Sequence, residues 1–156
     1  MHGGAHHVKV FLDNPAAPSG GHGIDDVNPN TILLIPWTTV LEDADGFWSS
    51  ANPTRLTVPA SFPTSLFVGF AQVSSQKGAG DRLLGFYANG FVNNDFAREH
   101  RPGTTGSGDI AQCQGTVILG PGEYVELQWM HKATTVLDVF GTAPQTWLSL
   151  VWMGFV

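Results

Sequence analysis

The end of the chain carries the clearest alternation of apolar and polar positions. Val125, Leu127 and Trp129 alternate with more polar neighbours, a period of two that predicts a strand with one buried face. A second strand, at residues 110–119, precedes it across a Gly-Pro-Gly turn at 120–122. The two strands are predicted to form a hairpin.

The terminal strand, residues 146–156, is apolar on both faces. Leu148, Leu150 and Trp152 occupy one face, and the other face is apolar apart from Ser149. Because an antiparallel sheet in a soluble protein normally keeps one face in water, such a strand is buried either inside the sandwich of one monomer or against another subunit. We interpret it as a subunit interface, and the predicted interface residues are Tyr124, Trp147, Val151, Trp152, Met153 and Phe155.

Further strand patterns recur at roughly ten-residue spacing from Thr31 onward, as is typical of an all-β sandwich or barrel. Together with the terminal strands they predict about nine or ten strands and no helix of three turns. The predicted segments are 32–35, 37–41, 55–58, 65–74, 82–88 and 91–98, with a tight turn at Asn89-Gly90.

Residues 1–30 have a different composition from the rest of the chain. Gly, Pro, His, Asn and Asp dominate, and one short alternating piece occurs at residues 8–12. We predict an extended N-terminal arm with one possible strand, joined to a sandwich domain at residues 31–156.

Composition narrows the possible partners. A chain of 156 residues fits one domain, and a formal net charge of −6 with only seven Lys and Arg argues against a nucleic-acid-binding surface. The single cysteine, Cys113, is predicted to be a small core residue. No apolar run is long enough to span a bilayer, and residues 1–7 lack the features of a secretory signal. We therefore expect a protein made without a signal peptide, with neither nucleic acid nor membrane as a partner.

The sequence contains no recognised catalytic motif. Neither Gly-x-Ser-x-Gly nor His-Glu-x-x-His occurs, and the carboxylates are scattered over turns. The acidic turn at 42–46 lacks the bidentate glutamate of an EF-hand and is predicted to be solvated. The arm histidines, His2, His6, His7 and His22, have no fixed surroundings to orient them as metal ligands. We expect no enzymatic activity, no cofactor and no metal site.

Five short motifs occur in a fixed order along the predicted sandwich. They are Asp45-Gly-Phe-Trp48, Leu56-Thr-Val-Pro59, the apolar strand 66–73, Asn89-Gly90, and Leu119-Gly-Pro-Gly-Glu-Tyr-Val-Glu-Leu127, followed by the aromatic terminal strand. In this order and spacing they resemble the globular head domain of the C1q and tumour necrosis factor (TNF) group over about residues 31–156. Gly122-Glu123 replaces the usual Gly-Asp of that group, and the arm lacks a collagen-like repeat.

The resemblance implies a jelly-roll sandwich that assembles as a homotrimer, with the terminal strand near the threefold axis. Bacteriophages use similar modules, so it also implies a virion structural protein: a trimeric capsid decoration, cement or head-spike protein located on the virion. Its arm would dock on the major capsid protein or a neighbouring virion protein through Val8, Val10, Phe11 and Leu12. The alternative is a tail-fibre or tail-tip adhesin whose loops 76–81 and 101–108 bind a host glycan.

Overall fold

The computed structural model describes residues 6–17, 21–90, 95–103, 108–142 and 145–156. These residues form strands and connecting segments, and none of their segments is a helix that could cross a membrane. The strands are β1 (His7–Phe11), β2 (Ile24–Val27), β3 (Leu33–Leu34), β4 (Thr39–Asp43), β5 (Arg55–Thr57), β6 (Ser65–Ser75), β7 (Arg82–Ala88), β8 (Asp95–Arg101), β9 (Asp109–Leu119), β10 (Tyr124–His131), β11 (Leu137–Phe140) and β12 (Trp147–Phe155).

The strands form two sheets. The larger sheet has the order β2-β11-β6-β12-β1-β4, and β9 runs along the other edge of β6. The smaller sheet has the order β3-β10-β7-β8, and β5 also pairs with β10. All the pairings are antiparallel. The all-β sandwich predicted from the strand spacing is therefore confirmed.

The core lies between the two sheets and is built from alternate residues of the long strands. Phe67, Leu148 and Leu150 of the larger sheet are at most 1% exposed, as are Leu127 and Trp129 of the smaller sheet. Burial of each such side chain contributes about 1.5–3 kcal/mol. The face of β10 that was predicted to point inward therefore lines the core. On the terminal strand, the face that carries Leu148 and Leu150 lines the core.

The first strand belongs to the sandwich, which corrects the predicted arm. β1 pairs with β12 on one side and β4 on the other, and Val8, Val10 and Leu12 are 0–1% exposed. These three side chains fill the core and cannot make the predicted capsid contacts. Phe11 is half-buried, opposite Trp147. The possible strand at residues 8–12 was predicted, but its pairing with β12 and β4 was not, because a short strand between Gly- and Pro-rich segments does not specify its partners.

The second strand also removes the predicted boundary at residue 30. β2 pairs with β11 at the far edge of the larger sheet. Gly23 and Gly141 lie so close to the opposite backbone there that an added Cβ would be 1.7 Å from Val139 O or from His22 O, respectively. Only glycine permits this approach. Residues 21–27 are therefore fixed to the sandwich.

The Gly-Pro-Gly turn connects the two sheets, so the predicted β9–β10 hairpin is wrong. β9 pairs with β6 in the larger sheet, whereas β10 pairs with β7, β5 and β3 in the smaller one. Gly122 has a φ of +81° and donates its N–H to Val58 O at 2.9 Å. The turn residues predict a reversal of the chain, but they do not specify which strand becomes the hydrogen-bonded neighbour.

The Asn89-Gly90 turn and the following strand are partly as predicted. Asn89 and Gly90 both have positive φ, at 54° and 70°, as such a turn requires. The next strand was predicted at residues 91–98, of which 91–94 lie outside the described residues. β8 extends three residues further than predicted, to Arg101.

His131 is a buried histidine at the end of β10. Its side chain is 0% exposed, Nε2 lies 2.8 Å from Val27 O, and Nδ1 lies 3.3 Å from the Ala133 N–H. The first contact assigns the proton to Nε2, and the second makes Nδ1 the acceptor. Burial lowers the pKa of His131 from the ordinary 6.5, the nearby Arg82 charge adds to this effect, and the bond to Val27 O partly opposes it.

We expect His131 to make the fold less stable in acid. Because its pKa is lower when folded, the unfolded chain binds more protons as pH falls below about 6.5, and stability then decreases by at most about 1.4 kcal/mol per pH unit. Chemical denaturation between pH 5 and pH 8 measures this slope. The slope should be smaller in His131→Gln than in the natural chain. Equal slopes in the natural chain and His131→Gln would contradict the assignment.

Candidate interface on the outer face of the larger sheet

The outer face of the larger sheet, the side turned away from the smaller sheet, is the strongest candidate for a functional surface. On β6 the odd-numbered residues from 65 to 73 are buried, and the even-numbered residues Leu66, Val68, Phe70 and Gln72 face outward. On β9 the outward positions include Ile110 and Ile118. The face is therefore apolar at many positions that alternation would normally leave polar.

The strand register brings Leu66, Val68, Phe70, Ile118 and Val151 together on this face, and we call this group the apolar centre. Val68 lies opposite Val151 on β12 and Thr116 on β9. Leu66 lies opposite Ile118, which is 57% exposed, and Phe70 is 37% exposed. Contiguous apolar side chains on a sheet face of a soluble protein mark a contact surface.

Glutamines border the apolar centre. Gln112 Nε2 donates to Gln72 Oε1 at 2.7 Å, and Gln72 Nε2 donates to Gln145 O at 3.0 Å. A shallow recess of about 410 Å³ lies here between Phe70 and Trp147. On its far side Lys9 Nζ lies 4.8 Å from the Trp147 ring centroid. These amides can form hydrogen bonds across an interface without placing a net charge in it.

Cys113 lies beneath this recess. Its side chain is partly buried against the core, as the sequence predicted. Burial, with a smaller contribution from the nearby Glu99 carboxylate, raises the pKa of Cys113 to about 12. The thiol stays protonated at neutral pH and is therefore a poor nucleophile.

The structure brings only some of the predicted interface residues together. Trp147 and Val151 lie on the outer face, opposite Gln72 and Val68. Trp152 is on the inner face with Leu148 and Leu150. A register shift between Trp152 and Gly154 turns Phe155 toward the same side, so both rings line a pocket at the end of the sandwich instead. Met153, at this irregularity, is 57% exposed.

Tyr124 lies on the other sheet, apart from the five residues of β12. It pairs with Thr57 of β5, and the Arg55 guanidinium carbon lies 4.0 Å from its ring centroid. The sequence analysis grouped Tyr124 with residues of the terminal strand as predicted interface residues. Sheet membership separates them.

Sequence reasoning missed the residues at the centre of the outer face. Leu66, Val68 and Phe70 lie on a strand that was predicted, but its outward face was not considered as a surface. The available signal was the continuous apolar run at 66–71, which is unusual for a strand with one wet face.

The acidic turn after β4 has a local structural role. Asp43 accepts hydrogen bonds from the backbone N–H groups of Gly46, Phe47 and Trp48 at 2.8–2.9 Å. The turn at 42–46 was predicted to be solvated, whereas the Asp43 carboxylate in it fixes the conformation of the turn through these hydrogen bonds.

Each described arm histidine is paired with one carboxylate: His6 with Asp45, His7 with Glu42, and His22 with Asp13. His2 lies outside the described residues. In the described part of the chain, no three side chains of His, Cys, Asp or Glu come together as metal ligands do.

A buried arginine anchors the loop at residues 76–81. Arg82 is 1% exposed, and its guanidinium donates to Gly80 O at 2.8 Å, to Gly78 O at 3.0 Å and to the Asp109 carboxylate at 3.0 Å. Gly103 packs on the same carbonyls, since an added Cβ would lie 2.2 Å from Gly80 O. The two loops predicted to bind a glycan thus meet at Arg82, although residues 104–107 of the second lie outside the described residues.

Comparison with known proteins shows the fold. No family model matches the chain, and no curated protein matches its sequence. Among solved structures, the crystal structure of murine APRIL at pH 5.0 matches with a TM-score of 0.62 and 13% sequence identity, covering 94% of this chain and 99% of that chain. Likeness at this identity is evidence for fold alone. The chain therefore has a C1q/TNF-like jelly-roll fold, as its motifs predicted.

Proposed function

We propose that the protein is a non-enzymatic structural subunit that assembles as a homotrimer through the outer face of the larger sheet. The observation that carries this proposal is the apolar centre around Val68, with Phe70 and Ile118 exposed beside it. Removing such a face from water favours association by about 25 cal/mol per Å² of apolar area. The apolar face supports association as such, and the number of copies, three, is proposed from the resemblance to the C1q/TNF group.

Within this class, the role we propose is that of a bacteriophage capsid decoration, cement or head-spike protein located on the virion. The support is the resemblance to phage modules together with a self-associating face. Docking on a capsid protein through the β1 side chains is no longer part of the proposal, because Val8, Val10 and Leu12 are in the core. A capsid contact would instead use surfaces that the trimer leaves open.

The alternative role is a receptor-binding tip. The observation that favours it is the anchoring of loops 76–81 and 101–103 at Arg82, since rigid loops lose little conformational entropy on binding a ligand. This role keeps the same trimer. Binding of the purified trimer to a glycan array would distinguish it from decoration.

Light-scattering mass tests the trimer. The full chain is expected to give three times the 16.7 kDa of one chain at micromolar concentration. Val68→Glu should give a monomer, because three carboxylates would be brought into an apolar contact and burying an unpaired charge is highly unfavourable. The monomer should fold normally, since Val68 points away from its core.

The matched control is Val136→Glu, the same change at an exposed valine in the loop before β11. It should leave the trimer intact. A natural chain that is monomeric at micromolar concentration would overturn the proposed trimer. A Val68→Glu chain that remains trimeric would show that the outer face is not the interface.

A further inference from the structure

A pocket at one end of the sandwich has the chemistry of a cation site and lies apart from the outer face. It measures about 270 Å³, and its walls include the rings of His6, Phe62, Trp152 and Phe155 together with the Asp45 carboxylate. We call it the end pocket. It is formed by residues before β1, after β4, between β5 and β6, and at the end of β12.

The rings of the end pocket form inclined walls. The His6 ring stands at 86° to Phe62 and at 88° to Trp152, with centroids 5.3 Å apart in both cases. Trp152 and Phe155 are inclined by 64° at 5.1 Å. A flat aromatic platform suits a sugar ring, whereas rings inclined around a small space suit a compact group that contacts several of them at once.

The fold holds the Phe62 ring and the strand that carries Trp152 in place, whereas Phe155 is 70% exposed. Phe62 packs against Phe47, which is 3% exposed, with ring centroids 5.2 Å apart. The Trp152 backbone N–H donates to the backbone oxygen of His6 at 3.0 Å. A site that is formed before its ligand arrives loses less entropy on binding.

The charge of the pocket selects the ligand. Asp45 Oδ2 lies 3.0 Å from His6 Nδ1, and the Asp45 side chain is 21% exposed. Among the described residues that line the pocket there is no lysine or arginine. A partly desolvated carboxylate disfavours an anion, and a neutral apolar ligand would bring no positive charge to it.

We propose that the end pocket binds a quaternary ammonium group. Such a cation is attracted to aromatic rings and to a carboxylate, and quaternary ammonium ligands are recognised by aromatic walls of this kind. Its methyl groups make apolar contacts with Phe62 and Phe155, and its charge lies near Asp45. The proposal does not depend on the trimer, because the pocket lies at the end of the sandwich.

Nitrogen-15 NMR of the tryptophan indoles, at pH 8 with constant chloride, tests the proposal. The Trp152 resonance is identified by its loss in Trp152→Phe. Tetramethylammonium chloride should shift it saturably, while tert-butanol, an uncharged molecule of similar shape, should not. Asp45→Asn should weaken tetramethylammonium binding at least about tenfold, through loss of the counter-charge.

The matched control is Asp81→Asn, which also removes a carboxylate paired with a histidine, His100, at 3.0 Å. It should leave binding unchanged. The proposal is overturned if tetramethylammonium causes no saturable shift, if tert-butanol causes an equal one, or if both Asn variants weaken binding equally. Should Asp45→Asn fail to fold, the comparison of the two probes on the natural chain still decides the question.

Discussion

Deletion of residues 1–30 is expected to unfold the protein. The deletion removes β1 and β2, which leaves β4 without its partner strand and leaves β12 and β11 paired with β6 alone. Val8, Val10 and Leu12 each contribute about 1.5–3 kcal/mol by burial, and their sum approaches the whole stability of a typical domain, about 5–15 kcal/mol. Near-ultraviolet circular dichroism and thermal unfolding of residues 31–156 measure the effect.

A single substitution separates this loss from a general effect of shortening the chain. Leu12→Ala should destabilise the full chain by about 2–5 kcal/mol, because Leu12 is 1% exposed. Lys9→Ala, on the outward side of β1, should cost no more than about 1 kcal/mol through its lost contact with Trp147. If residues 31–156 alone gave a native near-ultraviolet spectrum and a cooperative transition, β1 would be dispensable and the arm would be a separate unit.

Replacement of Arg82 by methionine is the second substitution for which a large loss of stability is expected. Burial lowers the pKa of Arg82 from its ordinary value, and the Asp109 carboxylate opposes that shift. Arg82→Met leaves Asp109 buried without this counter-ion. Breaking a buried pair in this way costs about 3–5 kcal/mol, which lowers Tm by roughly 6–20 °C for a chain of this size.

The control for charge is Lys77→Met, which removes an exposed cation from the same loop and should change stability by no more than about 0.5 kcal/mol. The double variant with Arg82→Met and Asp109→Leu should recover part of the loss, because no unpaired charge then remains in the core. Amide exchange at residues 76–81 should become faster in Arg82→Met, since the carbonyls of Gly78 and Gly80 lose their donor. A Tm equal to that of the natural chain would show that Arg82 does not anchor the loop.

Several parts of the fold were predictable because the sequence records them locally. β10 has a period-two pattern and β6 a long apolar run, and both are recognisable strand signals. The missed strands are different. β2 contains two consecutive aspartates, Asp25 and Asp26, which are poor strand formers. These four residues are a strand because they pair with β11. Nothing in the four residues themselves predicts that pairing.

The candidate sites were predictable only in part, for a related reason. The period of β12 identified Trp147 and Val151 as outward residues, but the irregularity after Trp152 changed the direction of the residues beyond it. The end pocket combines residues that are far apart in the chain, from His6 to Phe155. No local spacing in the sequence records that they meet.

The position of β12 has a consequence for how the chain folds during its synthesis. In the larger sheet β12 lies between β6 and β1, although both of these strands leave the ribosome long before it. The centre of the sheet therefore stays open until β12 is complete. Contacts between His7 and Val151 have a very large separation in sequence, and folds dominated by such contacts form slowly, over milliseconds to seconds. During that interval the unpaired edges of β6 and β1 are exposed to other nascent chains, so folding yield should fall as the concentration of unfolded chain rises.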